Sequence, residues 1–332
     1  MIPVKSVDDL METAHGYQRS MTLFVALRLD VFSALADGAA DARALARRVS
    51  ADLRNLSILL NAMVAMGLLA KEGEKYRSAP IAREYLSSGP RSKRSILLHH
   101  LDCWGEWAGL EKKVRGGRKG RPDRGGYQEN FIRGMEDNSR ERAVLVAAGI
   151  PLGTGERVLD LGGGPGTYAV EWAKRYPGAE ITVFDTPETL RVTRKILREK
   201  GVSRLVRLRE GDFQKDPLGG PYDFIWISQI LHAYSGKECR ALLRKARRAL
   251  APGGRIAVQE FLLDEGKTAP PGPAFFSVHM AAVTEGGKAY SAAEVASMLQ
   301  AAGFRKVEAG KPDLRGVGIV SGQGSGGGRY RT

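Results

Sequence analysis

From Arg157 onward, short apolar runs alternate with amphipathic stretches, and nearly every run stops at a polar or glycine residue. Arg157 to Leu161 ends in the turn Gly162-Gly163-Gly164-Pro165-Gly166, and a helical pattern follows over Tyr168 to Arg175. Ile181 to Phe184 ends in Asp185, Val206 to Arg209 leads into Gly211-Asp212-Phe213, and Phe224 to Leu231 ends in His232. Ile256 to Gln259 follows the turn Ala251-Pro252-Gly253-Gly254 and ends in Glu260. Runs this short and this apolar predict strands covered on both faces. Alternation with helices predicts an α/β fold, a Rossmann-like open sheet that is mostly parallel. Phe304 to Ala309 and Gly316 to Val320 predict a terminal antiparallel hairpin, after a capped helix that begins at Ser291.

The first third carries a helical period instead. Met21, Phe24, Val25, Leu27, Leu29, Val31, Phe32 and Leu35 predict one helix that is apolar almost all round, as expected where a helix packs on another protein surface. Asp41 caps a second helix and Asp52 to Met66 forms a third. Leu68 to Lys71 and Lys75 to Arg77 around a Glu-Gly-Glu turn read as a two-stranded wing. Helices plus a wing make a mainly helical winged-helix-like domain. The expected organisation is 1–95 for this domain, 96–145 for connecting helices and a basic loop, 146–323 for a ligand-binding catalytic domain, and 324–332 for a flexible, glycine-rich tail.

The glycine turn is where chemistry enters. Strand, glycine turn and helix hold a nucleotide-like ligand at the carboxyl end of a parallel strand, with glycines at Gly162, Gly164 and Gly166 letting ligand and backbone approach closely. A dinucleotide fingerprint wants glycine or alanine one residue later, at Thr167. Asp160 just before the turn suits a cationic amino-acid end rather than a pyrophosphate, which it repels. Asp185 lies at the distance of an acid that takes both ribose hydroxyls.

Composition adds bounds. The chain has 332 residues, is 43% hydrophobic and carries a net charge of +14. That length supports two domains with a sizeable core. No apolar run approaches the ~20 residues of a membrane span, and no leader pattern opens the chain. The two cysteines, Cys103 and Cys239, have no metal or redox spacing, so a cytoplasmic setting without a metal is expected. Lys112, Lys113, Arg115, Arg118, Lys119, Arg121 and Arg124 lie among glycines. They form either a nucleic-acid or anionic contact or a solvated loop. The second is favoured because no aromatic side chains interleave with them.

Taken together, these motifs resemble the class I S-adenosyl-L-methionine methyltransferases, and more narrowly the small-molecule O-methyltransferases that include the caffeate and hydroxyindole enzymes and bacterial relatives. The resemblance covers nearly the whole chain. It implies that Asp160 and the Gly162 carbonyl face the amino-acid end of S-adenosyl-L-methionine, Asp185 the ribose, and Asp212 and Phe213 the adenine. Gly164 and Gly166 complete the turn, and Ser228 stands where the family has a lysine. It implies His232 as general base and Glu260 as the acid that orients it. The histidine motif here continues Ala233-Tyr234, where the family usually has Asp-Trp, and a second family acid is replaced by Ala289. It further implies a homodimer through the N-terminal domain, S-adenosyl-L-homocysteine as product, and an acceptor pocket that draws on Trp104, Trp107, Phe131, Met135, His279 and Met280. The tryptophans, Phe131 and Met135 are equally readable as plain core. Three alternatives stay open: methylation of nitrogen or carbon, a nucleic-acid acceptor, and a winged-helix regulator that responds to S-adenosyl-L-methionine.

Overall fold

The computed structural model describes residues 3–116 and 127–324. Arg118, Lys119, Arg121 and Arg124 of the basic loop, and all but the first residue of the tail, lie outside them. The chain divides between Asp102 and Cys103 into two compact units, so the segment expected as a connector is shared between them.

The first unit runs α1 (Val7–Arg28), α2 (Val31–Ala34), β1 (Ala40–Asp41), α3 (Ala42–Arg48), α4 (Leu53–Ala65), β2 (Leu69–Glu72), β3 (Lys75–Ser78), α5 (Pro80–Tyr85) and α6 (Arg94–Asp102). The single helix expected over 21–35 is corrected here. It breaks at Asp30, whose φ of 61° no helix accommodates, and α2 restarts after it. Caps fix the next two starts: Asp41 accepts the Ala44 N–H at 2.7 Å and Asp52 the Asn55 N–H at 2.8 Å. The wing forms as β2–β3, and β1 adds a third antiparallel strand that the sequence reading missed. Leu27, Phe32, Leu45, Leu60 and Met63 fill the core.

The second unit runs α7 (Trp104–Ala108), α8 (Leu110–Val114), α9 (Tyr127–Gly149), β4 (Arg157–Leu161), α10 (Thr167–Arg175), β5 (Glu180–Asp185), α11 (Pro187–Glu199), β6 (Arg207–Glu210), β7 (Tyr222–Ser228), α12 (Gly236–Ala249), β8 (Leu250–Leu263), α13 (Pro271–Val283), β9 (Tyr290–Ser291), α14 (Ala292–Ala301), β10 (Arg305–Ala309) and β11 (Val317–Gln323). The sheet order is β10-β11-β8-β7-β4-β5-β6. Along it, β8, β7, β4, β5 and β6 are parallel, and β11 and β10 are antiparallel. Two cores explain the apolar runs. On β7, Ile225 and Ile227 share a core with Leu242, Leu243 and Val295, while Phe224 and Trp226 share another with Trp172 and Ala169.

Two strand ends differ from expectation. β7 stops at Ser228, because Gln229 takes a φ of 59°, and His232 lies in a 3₁₀ turn over Leu231–Ala233. Glu260 lies inside β8 rather than at its end, opposite Gly318 of β11. The expected turn at Ala251–Gly254 is an irregularity within β8, where pairing jumps from Tyr222↔Leu250 to Phe224↔Arg255. The strand order reverses direction between β4 and β7. Ligands of open α/β sheets sit at the carboxyl ends of strands beside such a switch point.

Candidate active site

Asp160, Asp185 and Asp212 come from β4, β5 and the loop after β6, three adjacent strands of the sheet. The turn between Asp160 and α10 holds Gly162, Gly164 and Gly166 at φ 69°, 52° and 75°, a region that side chains with a Cβ rarely enter. Gly163 is required for space. A Cβ there would lie 2.6 Å from Asp160 Cγ and 2.9 Å from Val183 Cγ1. A Cβ on Gly162 would strike Ile230 and approach Phe213.

The turn surrounds a carboxylate without a partner. Asp160 is 1% exposed, and neither of its oxygens has a hydrogen-bond partner. Burial pushes its pKa up to about 7, the nearby Asp185 adds to the rise, and the Ala169 N–H offsets it slightly without making a hydrogen bond of normal geometry. Asp185 is also raised by burial, although it accepts the Thr186 N–H at 2.7 Å and the Gly164 N–H at 2.9 Å. Asp212 differs. It is only half-buried, its salt bridge to Lys215 at 3.0 Å holds it below the usual carboxylate range, and it accepts the Gln214 N–H. Phe213 is buried, edge-on to Tyr234, with its carbonyl accepting from Lys245 Nζ at 2.8 Å. Ser228 Oγ accepts from Gln259 Nε2 at 2.9 Å, and the same amide donates to the Tyr168 hydroxyl at 2.7 Å. That network ties β7, β8 and α10 together under the turn.

The second cluster is built on one glutamate. Glu260 is 1% exposed. Its Oε1 accepts the Leu231 N–H at 2.7 Å and the His232 N–H at 3.4 Å, and its Oε2 lies 2.7 Å from His232 Nδ1. A carboxylate accepts, so Nδ1 carries the proton in the neutral ring and Nε2 is the nitrogen with a free lone pair. Cys239 Sγ donates to the Leu231 carbonyl, and the Tyr290 hydroxyl donates to the Tyr234 carbonyl at 2.7 Å. Gly287 fits tightly against the His232 carbonyl, and Ala289, at the position of the absent acid, is buried.

The expected pocket residues separate. Trp104 and Trp107 lie on α7, which is distinct from α6 with its His99 and His100, and both are 37% exposed. Trp107 Nε1 donates to His279 Nδ1 at 3.1 Å, with the ring planes inclined by only 16°. Met280 is buried on α13. Phe131 packs with Ile132 against Val192 and Ile196 of α11, and Met135 is half-buried on α9. Sequence reasoning missed Phe276, whose ring stands perpendicular to His232 at 4.8 Å and lies 6.0 Å from His279. A signal exists in the sequence, since Phe276 and His279 are i, i+3 on one helix. Tyr168 and Gln259 were also missed.

Two family models match in series: an O-methyltransferase dimerisation domain over residues 11–88 and an O-methyltransferase domain over residues 121–305. The chain belongs to the O-methyltransferase family. The acetylserotonin O-methyltransferase of Mus musculus molossinus is 32% identical, over 96% of this chain and 89% of its own. The 3-hydroxy-5-methyl-1-naphthoate 3-O-methyltransferase of Streptomyces sahachiroi is 29% identical over 93% of each chain. Among solved structures, human N-acetylserotonin methyltransferase in complex with SAM superposes with a TM-score of 0.83 at 29% identity, covering 98% of this chain and 100% of that one. The O-methyltransferase family expectation from the sequence is thus met. Among the described residues, no helix is long and apolar enough to cross a membrane.

Proposed function

We propose that this O-methyltransferase moves a methyl group from S-adenosyl-L-methionine to a hydroxyl of a small aromatic molecule, with His232 as base and Glu260 as the residue that orients it. The observation that carries this reading is the triple engagement of the buried Glu260 by the His232 turn. One carboxylate fixes the backbone of the turn and the tautomer of its imidazole, which is the role of the acid in a catalytic triad. The aromatic acceptor is supported by the relatives' printed substrates, an acetylserotonin and a hydroxynaphthoate.

The residues present fit the cofactor. A buried carboxylate with two unpartnered oxygens matches an α-ammonium, and the turn that follows it is packed too closely at Gly162 and Gly163 to hold a Cβ and is open at Gly164. Asp160 would hold the ammonium, Asp185 the ribose hydroxyls, and Asp212 and Phe213 the adenine. When bound, S-adenosyl-L-methionine supplies a methyl group on a sulfonium, already activated for transfer. His232 Nε2 takes the acceptor's hydroxyl proton as the oxygen bonds to the methyl and the methyl–sulfur bond breaks. S-adenosyl-L-homocysteine is left, with an imidazolium beside Glu260. A positioned base contributes about 10²–10⁴-fold.

The chain acts as a homodimer in this proposal. Val7, Leu10, Met11 and Tyr17 are exposed along α1, inside or beside the segment that matches the dimerisation model.

The test is methyl transfer from labelled cofactor to a panel of hydroxylated aromatics, with wild type and His232→Ala compared. Loss of turnover with cofactor affinity retained is expected. Full turnover by the variant removes His232 from the mechanism.

A further inference from the structure

One hydrogen bond does not fix an imidazole. The contact between His232 Nδ1 and Glu260 Oε2 is a pivot, and the ring can still swing about it unless a second surface blocks the motion. That surface is Phe276. Its ring meets the imidazole at 4.8 Å and 89°. This is the perpendicular arrangement preferred by aromatic pairs.

Phe276 is itself fixed. Phe261 of β8 packs on it at 4.6 Å, and His279 one helical turn along α13 lies 6.0 Å away. His279 is in turn held by the Trp107 indole N–H at 3.1 Å. A continuous row of rings, Trp107, His279, Phe276 and His232, therefore runs from α7 across α13 to the base.

We infer that Phe276 is a positioning residue for His232, holding the imidazole against Glu260 and stabilising it when it becomes an imidazolium. The inference rests on the reading of His232 as base. A cation over the face of an aromatic ring within ~6 Å is favoured, and a perpendicular pair can present the imidazole edge to the Phe276 face. The deprotonation step creates that cation, so the contact strengthens as the reaction proceeds. Of the titratable groups near the turn, Glu260 of β8 bonds the imidazole, His279 lies on α13 beyond Phe276, Cys239 bonds the Leu231 carbonyl and Tyr290 bonds the Tyr234 carbonyl just after the turn.

Phe276→Leu keeps an apolar side chain and removes the ring, and Phe276→Tyr keeps the ring. For the leucine variant, kcat falls about three- to tenfold, the size of an aromatic pair contribution. Acceptor KM and cofactor Kd stay within about twofold, while the acid limb of kcat/KM moves about half a pH unit towards lower pH. Phe276→Tyr restores kcat and the pH profile. Trp107→Phe, which removes the indole N–H two rings away, gives a smaller loss of kcat in the same direction.

If Phe276→Leu raises KM alone with kcat and the acid limb unmoved, Phe276 is only a wall for the acceptor and the proposal is overturned. A tyrosine variant as impaired as leucine overturns it as well. His232→Ala separates the two failures. Full turnover by that variant removes the base itself, whereas an inactive His232→Ala beside an unaffected Phe276→Leu overturns the positioning role alone.

Discussion

Cofactor binding should be linked to a proton through Asp160. Its pKa is pushed up to about 7 in the free protein, first by burial and then by Asp185. A cationic α-ammonium needs the ionised form. At pH 7 about half of Asp160 is ionised, and at pH 6 about one-tenth. The Kd for S-adenosyl-L-methionine should therefore weaken about fivefold from pH 7 to pH 6 and about tenfold over the next unit. Near pH 7, about half a proton is released per cofactor bound. Above about pH 8 the ligand's own amino group begins to deprotonate and the gain ends. The same shift acts on folding with a definite sign. The folded pKa lies above the unfolded one of 3.8, so the native state binds more protons between about pH 4 and pH 7. This group's contribution is most favourable below about pH 4 and is lost as pH rises through about 7, by on the order of 4 kcal/mol at most. Asp160→Asn should bind cofactor about 10–100-fold more weakly, from the loss of a charged hydrogen bond. The free variant should keep its stability above about pH 7 better than wild type. Calorimetry at several pH values, in buffers of different ionisation enthalpy, reads both Kd and protons released. Equal Kd at about pH 6 and pH 7.5, or an unchanged pH slope in the asparagine variant, would refute the reasoning.

Three other outcomes follow from the geometry. Glu260→Gln keeps the shape but cannot hold the imidazolium, so kcat should fall about 10²–10⁴-fold with a small change in melting temperature, checked by turnover and thermal unfolding together. Gly163→Ala places a methyl against Asp160 and Val183, so cofactor affinity should collapse while the fold loses about 1–3 kcal/mol, read by calorimetry and urea unfolding. Arg133→Ala removes ion pairs to Glu129 of α9 and Glu199 of α11, both of them exposed carboxylates, and should cost less than about 1 kcal/mol with kcat unchanged, read by urea unfolding and turnover.

The sheet is legible in the sequence because its strands are buried on both faces, which leaves uninterrupted runs such as Phe224 to Ile227. The glycine turn is legible because three left-handed positions in five residues leave little alternative to glycine. Where strands end is much less so. The run from Phe224 to Leu231 suggests a strand continuing up to His232, but Gln229 takes a left-handed turn that its residue type does not announce, and His232 is thereby lifted out of the strand. Glu260 interrupts an apolar run and so suggests the end of β8. It lies within the strand because β11, far later in the chain, pairs along that edge. Phe276 escapes sequence reading for a related reason. The i, i+3 spacing links it to His279, but its contact with His232 depends on α13 lying over the turn after β7, a long-range arrangement that this spacing does not encode.

The two polar clusters of the site are stabilised in opposite ways, and this follows from what each has to meet. Glu260 is buried but fully engaged, by two backbone amides and an imidazole, so its cost of burial is compensated within the protein itself. It can hold one geometry before any ligand arrives. Asp160 is equally buried and has no such partner. In the proposed function its compensation comes from the ligand's ammonium, which would make it a discriminator: a ligand without a cation at that point leaves the penalty in place. The glycine turn makes that arrangement workable, since Gly163 lets the backbone pass close against the carboxylate, while the Ser228–Gln259–Tyr168 hydrogen bonds tie β7, β8 and α10 together. In the proposed function, catalytic preorganisation and ligand selection would thus fall to β8 and β4, the two strands that flank β7, with the imidazole carried by the loop after β7.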